Sequence, residues 1–528
     1  MATLRELSDA VDREAEALRL GGGPAGWERQ RKLGRLPVRE RLAKLLDPGA
    51  PFLELGLWAA WRMYPEWGDV PAAGIVTGIG RIAGQPCLVA ANDATVKAGA
   101  MFPQSVKKLI RAQKVAHRLR LPLVYLVDSA GVFLPLQAEI FPDEDDFGRI
   151  FRNNSVLSAE GIPQYAAVMG NCIAGGAYLP VLCDKILMTE GSQLCLAGPA
   201  LVKAAIGQVV DAEELGGAAM HALVSGTVDF REPDDAACLA RLRALVALLP
   251  QRPTEEAGTP PDRDPADVYD LVPADGRGEY EIRDVLRTIV DGGSLQEFRA
   301  DFGRTLVTAY ARIDGRPVGI VANARKRSTT AQGEVQIGGV LYGDAAEKAA
   351  RFVDDCEQNR VPLVFVQDVQ GFMVGKQAEQ SGIIRMGARL VRSMSIATVP
   401  KFTVIVGSSY GAGHYALCGR AYDPALILAW PNARYAVMGG AQAADTLLAL
   451  RLRDAERAGK PLPAAEVAAL RESIRGSYQE ETDIRYGAAR GWVDAIIRPD
   501  ETRLWLATAL AAIRPDDLAR PAVPERDV

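Results

Sequence analysis

The chain repeats itself, and that repeat narrows the architectures open to it more than any other feature. PLVYLVDSAG (Pro122–Gly131) aligns with PLVFVQDVQG (Pro362–Gly371), so that Asp128 answers Asp368 and Gly131 answers Gly371 at an offset of 240. Gln137-Ala138-Glu139 matches Gln377-Ala378-Glu379 at the same offset. Upstream, RIAGQP (Arg81–Pro86) answers RIDGRP (Arg312–Pro317), and Ala91-Asn92 answers Ala322-Asn323, at an offset of 231. Downstream, GIPQYAAVMGNCIAGGAY (Gly161–Tyr178) answers TVPKFTVIVGSSYGAGHY (Thr398–Tyr415) at 237. Ordered matches at slowly drifting offsets predict two homologous halves rather than a string of unrelated domains. A stretch rich in Pro and charge, QRPTEEAGTPPDRDP (Gln251–Pro265), marks the seam. The expected domains are 1–252 and 266–528, joined by a linker over 253–265.

Each half follows one grammar. Apolar runs such as LPLVYLVD (Leu121–Asp128) and AAVMG (Ala166–Gly170) lead into Gly-rich turns and then helical stretches. SVKKLIRAQKVAHRLR (Ser105–Arg120) and AAEKAARFVDDCEQNR (Ala345–Arg360) read as amphipathic helices ahead of corresponding strands. Strand, turn and helix in alternation, with both strand faces apolar, predicts an α/β fold with buried, largely parallel strands. Sites in such folds gather at the carboxyl ends of strands.

Composition removes several classes of function. Hydrophobic residues make up 48% and charged residues 24%, which are globular values. Lys plus Arg is 61 against Asp plus Glu at 66, so a nucleic-acid surface is not expected. The seven cysteines are scattered without a CxxC, which argues for reduced thiols and against zinc ribbons; no metal is expected. The opening residues lack a signal-peptide core, and no uncharged apolar run reaches the ~20 residues of a membrane span. A cytoplasmic protein without membrane insertion is expected.

The chemistry concentrates at two turns. Ala174-Gly175-Gly176-Ala177-Tyr178 and Gly411-Ala412-Gly413-His414-Tyr415 stand at matching points of the two halves. Small residues at such a start leave backbone N–H groups unshielded, which suits a transient oxyanion. Close helix–strand packing also demands small residues, but recurrence of the turn favours function. There is no GxxxxGK(S/T) and no HExxH, and the histidines are His117, His221 and His414. His117 is expected on a solvated helix face, His221 in packing or ligand contact, and His414 beside a ligand. Two amide nests with little acid–base equipment suggest a substrate that supplies its own base.

DPGAPFLELG (Asp47–Gly56), AANDATVKAGA (Ala90–Ala100), DDFGRIFRNNSVLSAEGIPQ (Asp145–Gln164), AGGAYLP (Ala174–Pro180), GFMVGKQAEQSGIIRMGA (Gly371–Ala388), GSSYGAGHYALCGRAYDP (Gly407–Pro424) and AWPNARYAVMGGAQAA (Ala429–Ala444) extend through almost the whole chain. Together they resemble the carboxyltransferase β subunit of biotin-dependent acyl-CoA carboxylases, nearest the methylcrotonoyl-CoA and geranyl-CoA branch. The resemblance implies two crotonase-like domains, the first on the acyl-CoA side and the second on the biotin side. It implies transfer of a carboxyl group from N-carboxybiotin to an acyl-CoA, with the departing biotin nitrogen removing the carbon-bound proton. Gly175 and Gly176 would hold the thioester oxyanion, and Ala412 and Gly413 that of biotin. The active unit would be at least a dimer, and a hexamer by resemblance.

The chain has no Ala-Met-Lys-Met-like attachment sequence and no ATP-binding region, so the biotin would be carried and charged by a separate partner subunit. It also lacks the Cys-rich ribbon of bacterial acetyl-CoA carboxylase β subunits. Propionyl-type enzymes resemble Gly-Gly-Ala-Tyr-Asp at the second turn, where this chain has Tyr415; the methylcrotonoyl and geranyl branch usually shows Asn where His414 stands. Phe133, Tyr178, His414 and Tyr415 are candidates for the substrate pocket, and Lys97, Lys107, Lys108 and Arg111 for the CoA phosphates. A methylcrotonoyl-like substrate is favoured, with propionyl or another acyl group open. The alternatives are the reverse reaction in a decarboxylase α subunit, or a biotin-independent hydratase, isomerase or silent scaffold. A hydratase would need paired carboxylates beside a GG turn, and neither AGGAYLP nor YGAGHYA has any.

Overall fold

The computed structural model describes the chain apart from residues 1, 251–257, 277, 460–461, 515–517 and 519–528, and the side chains of 440–442. It divides into two compact units. One is built on Arg13–Thr254 and includes Ala489–Gly491; the other is built on Glu255–Ala488 and includes Met1–Asp12 and Trp492–Ala507.

Each unit contains one eight-stranded sheet, and the two sheets are wired alike. In the first unit the strands lie in the order Leu53–Leu55, Ile75–Ile82, Gln85–Asn92, Leu123–Ser129, Gln164–Ile173, Lys185–Thr189, Phe230–Glu232, with Gln193–Cys195 pairing off Gln164–Ile173. In the second the corresponding order is Gln296–Glu297, Leu306–Ile313, Arg316–Asn323, Leu363–Val369, Lys401–Tyr410, Leu426–Ala429, Ala495–Ile496, with Arg434–Ala436 off Lys401–Tyr410. The first two pairings in each sheet are antiparallel and the rest parallel. The central strands are buried on both faces, which is why they read as unbroken apolar runs.

Local chemistry repeats along with topology. The first hairpin turns at Ala83 and Gly84, the second at Asp314 and Gly315, all with positive φ. This matches the right-handed twist of the flanking strands. Asp47 accepts both turn amides of the first hairpin, from Ala83 at 2.9 Å and Gly84 at 2.7 Å. Asp291 does the same for Asp314 at 2.9 Å and Gly315 at 2.8 Å. The helices Pro103–Arg118 and Gly343–Gln358 cover equivalent strands. Each carries a buried lysine that donates to loose carbonyls: Lys108 to Ala72 O (2.9 Å) and Ile75 O (2.5 Å), Lys348 to Leu306 O (2.7 Å) and Arg299 O (3.4 Å).

Of the expected linker, 253–257 lies outside the described residues. From Gly258 onward the chain docks on the second unit, where the Gly258 N–H donates to Asp314 Oδ1 at 3.3 Å and the Gly292 N–H to Pro260 O at 3.0 Å. All seven cysteines are free, and among the described residues no helix is long and apolar enough to cross a membrane.

Candidate active site at the two glycine turns

Both turns leave the end of a long central strand through a residue in the left-handed region. After Gln164–Ile173 this is Ala174 (φ 62°); after Lys401–Tyr410 it is Gly411 (φ 54°). A left-handed alanine costs about 1–2 kcal/mol that glycine avoids, so the first half maintains this entry against strain. Gly175 and Gly176 then lie in the short helical turn Ala174–Ala177, and Ala412 and Gly413 in the helix Gly411–Ala416. At these starts the first N–H groups have no partner within the helix. None of the four amides finds an acceptor among the described residues. Gly175 and Ala412 are exposed, Gly176 half-buried and Gly413 buried.

Buried carboxylates brace the strand that precedes each turn. Asp128 Oδ1 accepts from the Asn171 N–H (3.2 Å) and Asp368 Oδ1 from the Ser408 N–H (2.8 Å), just where the strand register slips. Each carboxylate lies against a glycine, Gly170 or Gly407, where any side chain would collide with it. Their counter-charges differ. Arg41 bridges Asp128 (3.2 Å) and Asp235 (2.8 Å), with Arg35 at 3.7 Å from Asp128. Asp368 has Arg325 at 3.2 Å and accepts from the Tyr280 hydroxyl at 3.1 Å. Burial raises both carboxyls above their ordinary range against the pull of these guanidiniums.

The space under the two turns differs more. Beneath the first is a small apolar cavity, with about 30 Å³ of room, whose walls include Met101, Leu109, Tyr125, Phe147, Cys172 and Gly176. A methyl group on Gly176 would meet nothing within 4 Å. On Gly413 it would meet Val369 Cγ2 at 2.5 Å.

The remaining sequence candidates separate. Tyr178 and Tyr415 are exposed beside their turns, at 49% and 50%. The His414 ring turns inward: its Nδ1 lies 2.8 Å from Ser409 Oγ, and burial lowers its pKa to about 4. Phe133 packs in an aromatic cluster, stacked on Phe102 at 4.2 Å with Trp67 at its edge, and does not line the cavity. Phe147 and Tyr125 stand there instead. His117 is paired with Glu160 at 2.8 Å rather than merely solvated. His221 bonds Leu194 O (2.6 Å) and Ser225 Oγ (2.9 Å).

The four cations do not form one cluster. Lys107 is exposed and Arg111 half-buried, whereas Lys108 is enclosed and its pKa is lowered by burial to about 7. Lys97 donates to Trp67 O at 2.5 Å and lies on a second, larger cavity of about 540 Å³ with Arg29, Arg62 and Trp61. The loop forming that wall touches the end of the strand Leu123–Ser129, which neighbours the strand leading into the first turn: the Ala130 N–H donates to Ala98 O (3.1 Å) and Ser129 Oγ to Gly99 O (2.6 Å). Arg29 and Arg62 lie far from Lys97 in sequence, so no local pattern could have revealed this grouping.

The family model for the carboxyl transferase domain matches residues 29–526. The chain belongs to the carboxyltransferase family. Among relatives of this carboxyltransferase, the biotin-dependent 3-methylcrotonyl-coenzyme A carboxylase beta1 subunit of Mycobacterium tuberculosis is 45% identical over 520 residues, covering 97% of this chain and 95% of the relative. The mitochondrial methylcrotonoyl-CoA carboxylase beta chain of Arabidopsis thaliana is 43% identical over 503 residues, covering 93% and 83%. The crystal structure of the P. aeruginosa geranyl-CoA carboxylase beta subunit superposes with a TM-score of 0.82 at 36% identity, covering 97% of this chain and 92% of that one. The carboxyltransferase is thus a β-type subunit of the biotin-dependent acyl-CoA carboxylases, built from two crotonase-like domains.

Proposed function

We propose that the first turn binds the thioester and the second the carboxyl donor, with a short, branched acyl-CoA of the methylcrotonoyl type as acceptor. The observation that carries this division is the apolar cavity under Gly176, where an added methyl meets nothing, against Gly413, where it would meet Val369. An acyl group needs apolar room behind its carbonyl; a ureido oxygen needs only donors. The amides of Gly175 and Gly176 face the enolate oxygen, and those of Ala412 and Gly413 the oxygen of biotin once its carboxyl group has left. In such a transfer the N–carboxyl bond of carboxybiotin would break to release carbon dioxide, the freed nitrogen would take the acyl carbon's proton to leave the enolate, and the enolate carbon would then bond the carbon dioxide, so charge and atoms balance without a protein base. Each donor contributes about 3 kcal/mol of transition-state stabilisation.

The CoA phosphates dock in the cavity of Arg29, Arg62 and Lys97, one loop away from the thioester turn. Biotin is carried on a separate subunit that also charges it with ATP and bicarbonate. Domains 1–252 and 266–528 take the acyl-CoA and biotin roles, and copies of the chain join as at least a dimer, with a hexamer expected, in the cytoplasm. The test is to isolate the native complex and assay it with ATP, bicarbonate and a panel from propionyl-CoA to geranyl-CoA. ATP-dependent carboxylation greatest for methylcrotonoyl-CoA is expected. ATP-independent loss of carbon dioxide from a carboxylated acyl-CoA would instead mark a decarboxylase, and a maximum at geranyl-CoA would overturn the short-acyl assignment.

A further inference from the structure

Four hydrogen bonds run in series beneath the second turn. Gln367 Nε2 donates to Leu417 O at 2.5 Å, and Ser409 Oγ donates to Gln367 Oε1 at 2.6 Å. His414 Nδ1 lies 2.8 Å from Ser409 Oγ, and the Arg420 N–H donates to His414 Nε2 at 3.4 Å. The ends of the series set its direction. A backbone carbonyl only accepts, so Gln367 presents its NH₂ to Leu417 and its oxygen to Ser409. That oxygen also only accepts, which commits the Ser409 hydroxyl proton to it. Ser409 can then only accept from His414, so the imidazole proton lies on Nδ1, and the Nε2 lone pair meets the Arg420 N–H.

The series joins elements that matter to the turn. Gln367 and Ser409 lie on adjacent strands, Leu363–Val369 and Lys401–Tyr410, beside the slip in their register. His414 belongs to the same short helix as Ala412 and Gly413, and Leu417 follows it directly. Around the ring stand Tyr435 at 4.9 Å and Tyr415 at 5.7 Å between centroids, while the Arg420 guanidinium is paired with Asp494 at 2.8 Å. At the equivalent positions the first half has Val127, Cys172 and Ala177. No such series is possible there, and Val127 and Cys172 line the cavity.

We infer that His414 is a positioning residue for carboxyl transfer: as a neutral Nδ1–H donor it pins the segment bearing the Ala412 and Gly413 amides to the two strand ends. Its low basicity, caused by burial, agrees with this role. The kinetic part of the inference rests on the proposed function; the hydrogen-bond series does not.

Two measurements test it. The chain has three histidines, so magic-angle-spinning ¹⁵N spectra of histidine-labelled protein at pH 7.5 are resolved by comparison with H414N. His414 should show one neutral ring protonated at Nδ1; a charged ring or an Nε2–H tautomer would overturn the inference. In the native complex, H414L should lower kcat for carboxyl transfer at least about tenfold, with KM for acyl-CoA unchanged, because small displacements of a donor are costly. H414N should restore most of that rate, since its amide nitrogen stands where Nδ1 does. If H414L does not fold, S409A breaks the same series with a smaller change and should show the same loss. An undiminished kcat in H414L or S409A would overturn the inference. Failure of the unsubstituted complex to transfer carboxyl groups would overturn the function and the kinetic role together, and the nitrogen spectrum distinguishes that from failure of the series.

Discussion

Below Gly176 the first sheet and its helices leave a hollow, while at Gly413 Val369 stands where a side chain would go, and Gln367, Ser409 and His414 are joined by hydrogen bonds. Duplication preserved the strand order, the slip in register, the hairpin aspartates and the buried lysines, but not the contents of this space. On the proposed function, the shared backbone would supply the oxyanion donors, and side chains behind each turn would decide what can approach them: a carbonyl with an acyl tail would need the hollow turn, a ring oxygen only the donors.

The contrast can be broken, and the largest effect should come from its foundations. Arg41→Met removes the nearest guanidinium from two buried carboxylates, Asp235 and Asp128 (the latter keeping Arg35 at 3.7 Å), whereas Arg325→Met removes it from Asp368 alone, which keeps its Tyr280 donor. Breaking a buried pair costs about 3–5 kcal/mol, so chemical denaturation should show Arg41→Met as the more damaging of two severe changes. Equal losses would mean the two carboxylates are braced alike.

Gly176→Pro removes one donor and should lower kcat by about 10²–10³ while leaving assembly intact, as read by transfer assays and light scattering. Alanine sharpens the comparison. Gly176→Ala meets no atom within 4 Å and should keep the fold, while Gly413→Ala drives a methyl onto Val369. Similar melting temperatures for the two alanine variants would refute the hollow-versus-filled distinction.

A smaller change is expected from Tyr415→Asp, which should shift preference toward small saturated acyl-CoA thioesters by about tenfold in kcat/KM ratio. An unaltered substrate profile would show that Tyr415 is not a selector.

The smallest effect concerns pH. His414 has a folded pKa lowered from 6.5 to about 4 by burial. Between these values the unfolded chain binds the extra proton, so the stability this group contributes is full above pH 6.5 and is lost as pH falls through about 4. Melting curves from pH 7 to pH 4 should therefore fall more steeply for the unsubstituted protein than for H414N. Parallel curves would remove His414 from the acid response. Ala177, its counterpart, offers nothing comparable.

Several features are legible in the sequence alone. Matching of Asp128 with Asp368 and of Gly170 with Gly407 foretold duplicated sheets, because a buried carboxylate against a glycine tolerates no other pairing. The cationic candidates were less legible. Lys107 and Lys108 are neighbours in sequence, but successive helical residues point about 100° apart, so one is exposed and the other buried. The repeat held a clue, since Lys348 stands at the position equivalent to Lys108 and bonds the equivalent carbonyl, Leu306 for Ile75. Phe133 was ambiguous because an aromatic side chain fits a core and a pocket wall equally well, and its stacking on Phe102 became visible only in three dimensions.

By itself the amino-acid order determined the duplication, the α/β grammar, the paired small-residue turns and the family, since all of these are carried by local pattern and by its recurrence. Tertiary structure alone decided which turn has room behind it, which cations share a cavity and where the His414 proton lies. Those outcomes depend on the volumes and hydrogen-bonding valences of side chains brought together from separate strands and helices, and close packing leaves a void or fills it only once all of them are in place.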